Sequence, residues 1–205
     1  TEDIVDIDKE IAVIVGRSIN GDVATFSAVE MHFHPVANLV EYLFCPSSIS
    51  NELAEAAEKL AIQIAHKMDI VGLLAVEMFV TKEGKLLVNE VAPRPHNSGH
   101  HTIEANVTSQ YEMHLRAILG LPLGDPSLVR PAVMVNLLGE SGYSGPVNYQ
   151  GIEECMNISG VYPHLYGKKD TKPYRKMGHV TIVDEKLDDA IQKAKFVQNT
   201  LKVIS

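Results

Sequence analysis

The sequence predicts an α+β fold, an antiparallel sheet with helices laid on one face, followed by a small β-rich carboxy-terminal domain. Three observations carry this. Strand-like stretches come in neighbouring pairs joined by short polar turns such as "SINGD" and "TKEGK", where a parallel sheet would interpose a helix. Helical periodicity is confined to a few separated stretches. The segment "LPLGDPSLVRP" (121–131) breaks both patterns with its prolines and glycine and reads as a linker. The expected division is therefore 1–120, a linker at 121–131, and 132–205.

The elements follow in order. "EIAVIVGR" (Glu10 to Arg17) and "GDVATFSAVE" (Gly21 to Glu30) read as strands, with Asn20-Gly21 as a strong hairpin signal between them. After the loop "HFHPVAN", Ser50 is placed to cap a helix. Along that helix Leu53, Ala56, Ala57, Leu60, Ile64 and Met68 recur at helical spacing. "VGLLAVEMFV" and "KLLVNEVA" form the next strand pair, and "SQYEMHLRAILG" an amphipathic helix ended by Gly120 and Pro122. Beyond the linker lie a strand "AVMVNLLG", a glycine-rich stretch near "GESGYSG", and a short helix near "GIEECMN". Strands "GVYPHLY" and "KMGHVTIV" precede a closing helix from about Asp188 to Leu201. Met31, Met68, Met78 and Met134 read as packing residues.

Composition narrows the function. At 205 residues and 45% hydrophobic content, the chain can bury a sizeable core. A net charge of -8 argues against nucleic acid as the main partner, because phosphate backbones are bound by clustered Lys and Arg. No apolar run approaches the ~20 residues that span a bilayer, so no membrane role is expected. Cys45 and Cys155, two distant thiols, fit a reducing cytoplasm better than a disulfide framework. The start "TEDIVDIDKE" is acidic, unlike a signal peptide, and lacks an initiator methionine, as in a processed chain or an excised piece. Basic residues converge only in "YGKKDTKPYRK" (Tyr166 to Lys176).

The pair "AVEMFVTKEGKLLVNEVA" raises the sharpest chemical question. With Glu83-Gly84 as a two-residue loop, Lys82 faces Lys85, Val80 faces Leu87, and Glu77 faces Glu90. Opposed side chains have Cβ atoms roughly 5 Å apart, and like charges there are destabilising. A divalent cation held by both carboxylates would compensate, with Asn89 offering a hard oxygen nearby. A register shifted by a residue or two, or an Arg or Lys partner for each glutamate, would do so as well.

The strand pair runs into "NEVAPRPHNSGHHT" (Asn89 to Thr102), which holds two prolines, an arginine and three histidines in fourteen residues. Pro93 and Pro95 restrict the backbone on either side of Arg94, whose guanidinium fork suits carboxyl and phosphoryl oxygens. Asn97, Ser98 and Gly99 are turn-prone, and their N–H groups are candidates to line an anion pocket. His96, His100 and His101 either serve the loop or reach the site, and their spacing fits no zinc module.

"LLAVEMF" followed by "VNEVAPRPHNSGHHTIEA", then "TSQYEMHLRAILGLPLG", "MVNLLG", "YGK" and "RKMGHVTI", resembles the ATP-grasp 5-(carboxyamino)imidazole ribonucleotide synthetases of purine biosynthesis. The resemblance covers essentially the whole chain. It implies the carboxy-terminal half to two-thirds of such an enzyme, without its amino-terminal domain, and a portion not expected to turn over alone. The implied fold is the ATP-grasp carboxy-terminal subdomain followed by the small β-rich domain. The implied reaction is ATP-dependent carboxylation of aminoimidazole ribonucleotide by bicarbonate, with magnesium, in a cytoplasmic homodimer.

Residue by residue, the resemblance implies that Glu2, Asp3, Ile4 and Val5 form the hinge strand that reads adenine, and that Glu10 holds the ribose. Glu77 and Glu90 match the magnesium ligands, with Asn89 beside the phosphates. Arg94 matches an arginine at the phosphoryl-transfer centre, and Lys168 and Arg175 match basic residues that hold the ribonucleotide. The family's histidine near the nucleotide falls in "MHFHPVAN", where His32 and His34 stand with altered spacing and His34 is the candidate. Lys168 and Arg175 also fit an ordinary solvated loop, and Asn136 either a satisfied core amide or a site contact. The competing functions are another ATP-grasp ligase, such as glycinamide ribonucleotide transformylase or a biotin carboxylase-like enzyme, and a non-catalytic nucleotide-binding module.

Overall fold

A continuous apolar strand organises the first half of the chain. In the computed structural model, which describes residues 5–34 and 39–205, β1 (Ile7–Arg17) is buried from Ile11 to Gly16 without the alternation of a half-exposed strand. Such a run means that both faces are covered. The chain divides into two compact units, 1–31 with 45–129 and 32–44 with 130–205. The chain thus crosses between units at 31/32, 44/45 and 129/130, whereas the sequence-based division is contiguous with a single linker at 121–131.

In the first unit β1 lies between β5 (Gly72–Thr81) and β3 (Val29–Phe33), all antiparallel, and β6 (Leu86–Ala92) extends β5 at the edge. The stretch expected as one strand from Gly21 to Glu30 is two pieces. Its first part, β2 (Val23–Thr25), pairs with Val15 to Arg17, and the pairing resumes one residue out of step in β3.

Helix α1 (Asn51–Lys67) starts at Ser50, whose side chain accepts from the Leu53 N–H. Its buried ridge is Ala57, Ala61 and Ala65, flanked by Leu53, Leu60 and Ile64, against Ile11, Val13, Val15, Leu74, Val76 and Met78. Ala56 is exposed and Met68 is 47% exposed, so neither belongs to the packed face expected for them. Met31, Met78 and Met134 are buried.

The opposite sheet face carries Ile14, Leu73 and Ala75, which pack with Met113 of α3 (Gln110–Ile118). Helices therefore cover both faces of this sheet, not one. The four-residue helix α2 (Thr102–Ala105) precedes α3, which is capped by the Ser109 side chain.

The second unit has strand order β10 (Val161–Leu165), β12 (Lys176–Val183), β7 (Ala132–Leu138) and β4 (Val40–Cys45). Helix α5 (Leu187–Thr200) buries Ala190, Ala194 and Val197 against Val133, Val135, Val180 and Ile182, and the short α4 (Ile152–Met156) adds Cys155. Two small pairs complete it and were not foreseen: β8 (Gly145–Pro146) with β11 (Asp170–Thr171), and β9 (Asn148–Gln150) with β13 (Lys202–Ile204). Strands of two or three residues carry too little pattern to be legible.

Candidate active site

Glu77 and Glu90 do face one another, by a route different from the expected one. Thr81 N–H donates to Lys85 O and Gly84 N–H to Thr81 O, so the β5–β6 loop has three residues, Lys82 to Gly84, with Gly84 at φ 76°. That is the usual three-residue hairpin, whose last position calls for a left-handed residue. Near the turn Val80 therefore pairs with Leu86, not Leu87, and Thr81 stands opposite Lys85 where Lys82 was expected. Between Met78↔Val88 and Glu77↔Glu90 the register shifts by one, leaving Asn89 as the extra residue. A bulge of this kind re-aims side chains at the edge of a sheet. It restores the opposition of the two carboxylates.

Alternation along the strands gathers more acid on this face. Glu77 pairs with Ala12, and Glu10 with Phe79, so Glu10 projects on the same side as Glu77, the side that α3 covers. Glu10 is half-buried, and burial pushes its carboxyl above the ordinary value.

After β6 the chain turns at Arg94, whose N–H bonds Ala92 O while its exposed guanidinium donates to Pro95 O at 3.1 Å. A 3-10 turn (Asn97–Gly99) follows, and it brings His96 back to the glutamates. Ligand atoms of Glu77, Glu90 and His96 all lie within 4.8 Å of one another. His96 is 8% exposed, and its Nε2 stands 3.4 Å from Glu77 Oε1. Its Nδ1 accepts the Ser98 N–H at 3.3 Å and lies 2.9 Å from Ser98 Oγ. An accepting Nδ1 leaves the ring proton on Nε2, aimed at the carboxylate.

The turn itself is tied from behind. The fully buried Gln110 accepts from the His96 N–H through Oε1 (2.9 Å) and donates to His96 O through Nε2 (2.8 Å). Its own N–H donates to Thr102 Oγ1, which donates to Gly99 O. Gly99 fits because a Cβ there would lie 2.4 Å from Ile14 Cδ1 and 2.5 Å from Gln110 Oε1. Of the three N–H groups expected to line an anion pocket, those of Ser98 and Gly99 donate within the turn, to His96 Nδ1 and His96 O.

The other two histidines serve the loop. His100 meets Tyr111 Oη and Gln110 Nε2, and the buried His101 meets Ser98 O at 3.1 Å. Burial lowers the His101 imidazole to about 4.

The remaining candidates divide by unit. Glu2, Asp3 and Ile4 lie outside the described residues, as does 35–38 of the "MHFHPVAN" loop, while Val5 stands just ahead of β1. Asn89 is exposed at the bulge. In the second unit, His32 stacks on Tyr42 at 4.6 Å. His34 meets Tyr174 edge-on and lines a cleft of about 250 Å³ with Glu41, Asn136, Glu140 and Lys202. Asn136 is a core amide that donates to Val40 O.

Lys168 and Arg175 each bond a main-chain carbonyl of their own loop. Lys168 donates to Lys176 O beneath the Tyr166 ring, and Arg175 donates to Asp170 O at 2.8 Å. Sequence reading missed Gln110, which carries no signal in a single sequence, gave Ser98 only a main-chain role, and left His96 undecided among three histidines.

Comparison with known proteins agrees with this architecture. The ATP-grasp domain family matches residues 1–111, and the phosphoribosylaminoimidazole carboxylase C-terminal domain family matches 132–193. The chain belongs to the ATP-grasp family. The N5-carboxyaminoimidazole ribonucleotide synthase of Bacillus subtilis is 42% identical over 193 residues, 94% of this chain and 48% of that protein. The crystal structure of the synthetase from Thermotoga maritima is 48% identical with a TM-score of 0.94, covering 100% of this chain and 54% of that one. The Aspergillus clavatus synthase, solved with ADP and 5-aminoimidazole ribonucleotide, is 29% identical with a TM-score of 0.85, over 96% of this chain and 52% of that one. Within the ATP-grasp family its similarity is to N5-carboxyaminoimidazole ribonucleotide synthetases, and the chain spans about half the length of the relatives it matches. Among the described residues no helix is long and apolar enough to cross a membrane.

Proposed function

We propose that the protein carrying this chain joins bicarbonate to the amine of 5-aminoimidazole ribonucleotide at the expense of ATP, as an ADP-forming ligase of purine biosynthesis. The observation that carries the reading is the opposed pair Glu77 and Glu90, sharing a sheet face with Glu10 and met by His96. Two carboxylate oxygens suit a hard cation that keeps waters and also binds substrate phosphates. Mg2+ held there with the ATP phosphates would neutralise charge on the transferred phosphoryl group.

The chain's residues take the following roles. Glu77 and Glu90 are the metal ligands, and Asn89 stands beside the phosphates. Glu10 accepts from the ribose hydroxyls, its burial favouring a partner that donates. Residues 2–5 present main chain to adenine, and His34 approaches the nucleotide. Arg94, exposed and bonded to its neighbour's carbonyl, turns onto bicarbonate and the transferred phosphoryl group. Lys168 and Arg175 hold the ribonucleotide phosphate by exchanging main-chain carbonyls for phosphate oxygens.

A bicarbonate oxygen attacks the γ-phosphorus and ADP leaves, giving carboxyphosphate. The amine nitrogen then attacks the carboxyl carbon, or carbon dioxide released from it, as phosphate leaves and the nitrogen loses a proton. Positioning and charge neutralisation suffice, without a covalent nucleophile. The buried Cys45, whose thiol burial pushes up to about 12, is unsuited to be one. Bicarbonate as co-substrate, a homodimeric assembly and a cytoplasmic setting rest on the family resemblance.

The test is ADP release with magnesium-ATP, measured with and without the ribonucleotide and bicarbonate. Release that needs both is expected. Release indifferent to the ribonucleotide would overturn the substrate assignment and leave an ATP-grasp protein with another acceptor.

A further inference from the structure

We propose that Gln110 is a positioning residue, which sets His96 against Glu77 and thereby fixes the geometry of the carboxylate pair. The inference deepens the reading of Glu77 and Glu90 as cation ligands and rests on it. Gln110 belongs to α3 and His96 to the loop after β6, fourteen residues earlier, so their contact is tertiary. The amide bonds both main-chain groups of His96, a two-point clamp that fixes position and orientation together.

Three further features show that the clamp is built in. The Gln110 side chain is wholly buried, and the residue's main-chain N–H donates to Thr102 Oγ1. Gly99 leaves the space that the amide occupies. Ser98 holds His96 Nδ1 from the other side, so the ring can neither turn over nor shift its proton without breaking a bond. With the main chain clamped and Nδ1 accepting, the Nε2 proton is directed at Glu77 Oε1. A metal-binding carboxylate is commonly oriented by such a donor, whose loss costs about 10-fold or more in metal affinity.

The experiment uses the polypeptide that carries this sequence and does not depend on turnover. Mn2+ binding is titrated by electron paramagnetic resonance, and the His96 ring nitrogens are observed by nitrogen-15 resonance, assigned through His96→Gln. Gln110→Met keeps the volume and removes both bonds. It is expected to raise the Mn2+ half-saturation about 10-fold and to mix the two ring tautomers. Ala61→Gly, in α1 away from the site, provides a destabilised control in which neither readout should move.

Wild-type values of both readouts in a folded Gln110→Met protein would overturn the proposal. Should that variant fail to fold, Gln110→Glu keeps the acceptor for His96 N–H and loses the donor to His96 O. A shift of the ring nitrogens there supports the clamp, and none overturns it. Absence of Mn2+ binding in the wild type would remove the cation reading, and the nitrogen spectra would still decide the role of Gln110. Ribonucleotide-independent ADP release with a Gln110-dependent Mn2+ site would sink the substrate assignment alone.

Discussion

Two polar segments carry residues assigned to chemistry, and they are held in opposite ways. From Ala92 to Gln110, in the first unit, buried partners stand behind His96: Gln110 behind its main chain, Thr102 behind Gln110, Ser98 behind the imidazole. From Tyr166 to Lys176, in the second unit, Lys168 and Arg175 lie on a loop and are bonded to its own carbonyls. The first arrangement costs entropy once, on folding, and leaves the His96 ring fixed beside Glu77. The second leaves cations that any stronger acceptor, such as a phosphate, can recruit. Rigid where a cation must be held at defined distances and exchangeable where a ligand must enter and leave: that is the division the two loops teach.

The largest expected effect would break the first region. Glu90→Gln should lower ribonucleotide-dependent turnover by more than about 100-fold. It should also raise the stability of the metal-free protein by roughly 0.2–1 kcal/mol, because like charges no longer face one another. Denaturation in the presence of a chelator checks the second half, and a loss of stability there would show that the pair is not repulsive.

Next is the buried histidine. His101 has an imidazole lowered to about 4 by burial, against an ordinary value of 6.5. Below 6.5 the unfolded chain binds the proton and the folded one does not, so stability falls as pH drops from 6.5 to 4 and is regained above that window. The difference amounts to about 3 kcal/mol. Urea unfolding across that range should show the slope, and His101→Asn should flatten it.

Gly99→Ala probes the same corner by crowding. Its methyl would stand within contact distance of both Ile14 and Gln110. A cost of about 1–3 kcal/mol is expected, with weakened cation binding if Gln110 is displaced. In the second region, by contrast, Arg175→Met should change stability by less than about 0.5 kcal/mol while raising the KM for the ribonucleotide and sparing that for ATP. Equal rises in both constants would remove the contrast between the two loops.

Much of this was legible before folding. The Asn20-Gly21 turn, the Ser50 cap and the α+β class follow from local chemistry, since turn residues and caps act over three or four positions. The opposition of Glu77 and Glu90 was legible too, but through two errors that cancelled: a loop one residue longer than expected, and a bulge at Asn89 that restored the register. Counting along the chain cannot detect a bulge, because its extra residue looks like any other.

The one-sided sheet was a misreading of β1, whose unbroken apolar run already pointed to two covered faces. Met68 was assigned to the core by spacing alone, while the packed ridge of α1 follows the alanines that allow close approach. Residues 32–44 joined the second unit through strand pairing, which no composition shift announces.

The residue string alone therefore carried the class of fold, the acidic pair, the Arg94 turn and the family to which they belong, because each depends on neighbours in sequence or on a motif of contiguous residues. Folding alone decided which histidine meets the carboxylates, that the Ser98 and Gly99 N–H groups turn inward to their own loop, and that Gln110 holds His96. Those outcomes depend on groups from separate elements meeting in a buried space, and hydrogen bonds made there are chosen by geometry and by the cost of leaving any polar atom without a partner.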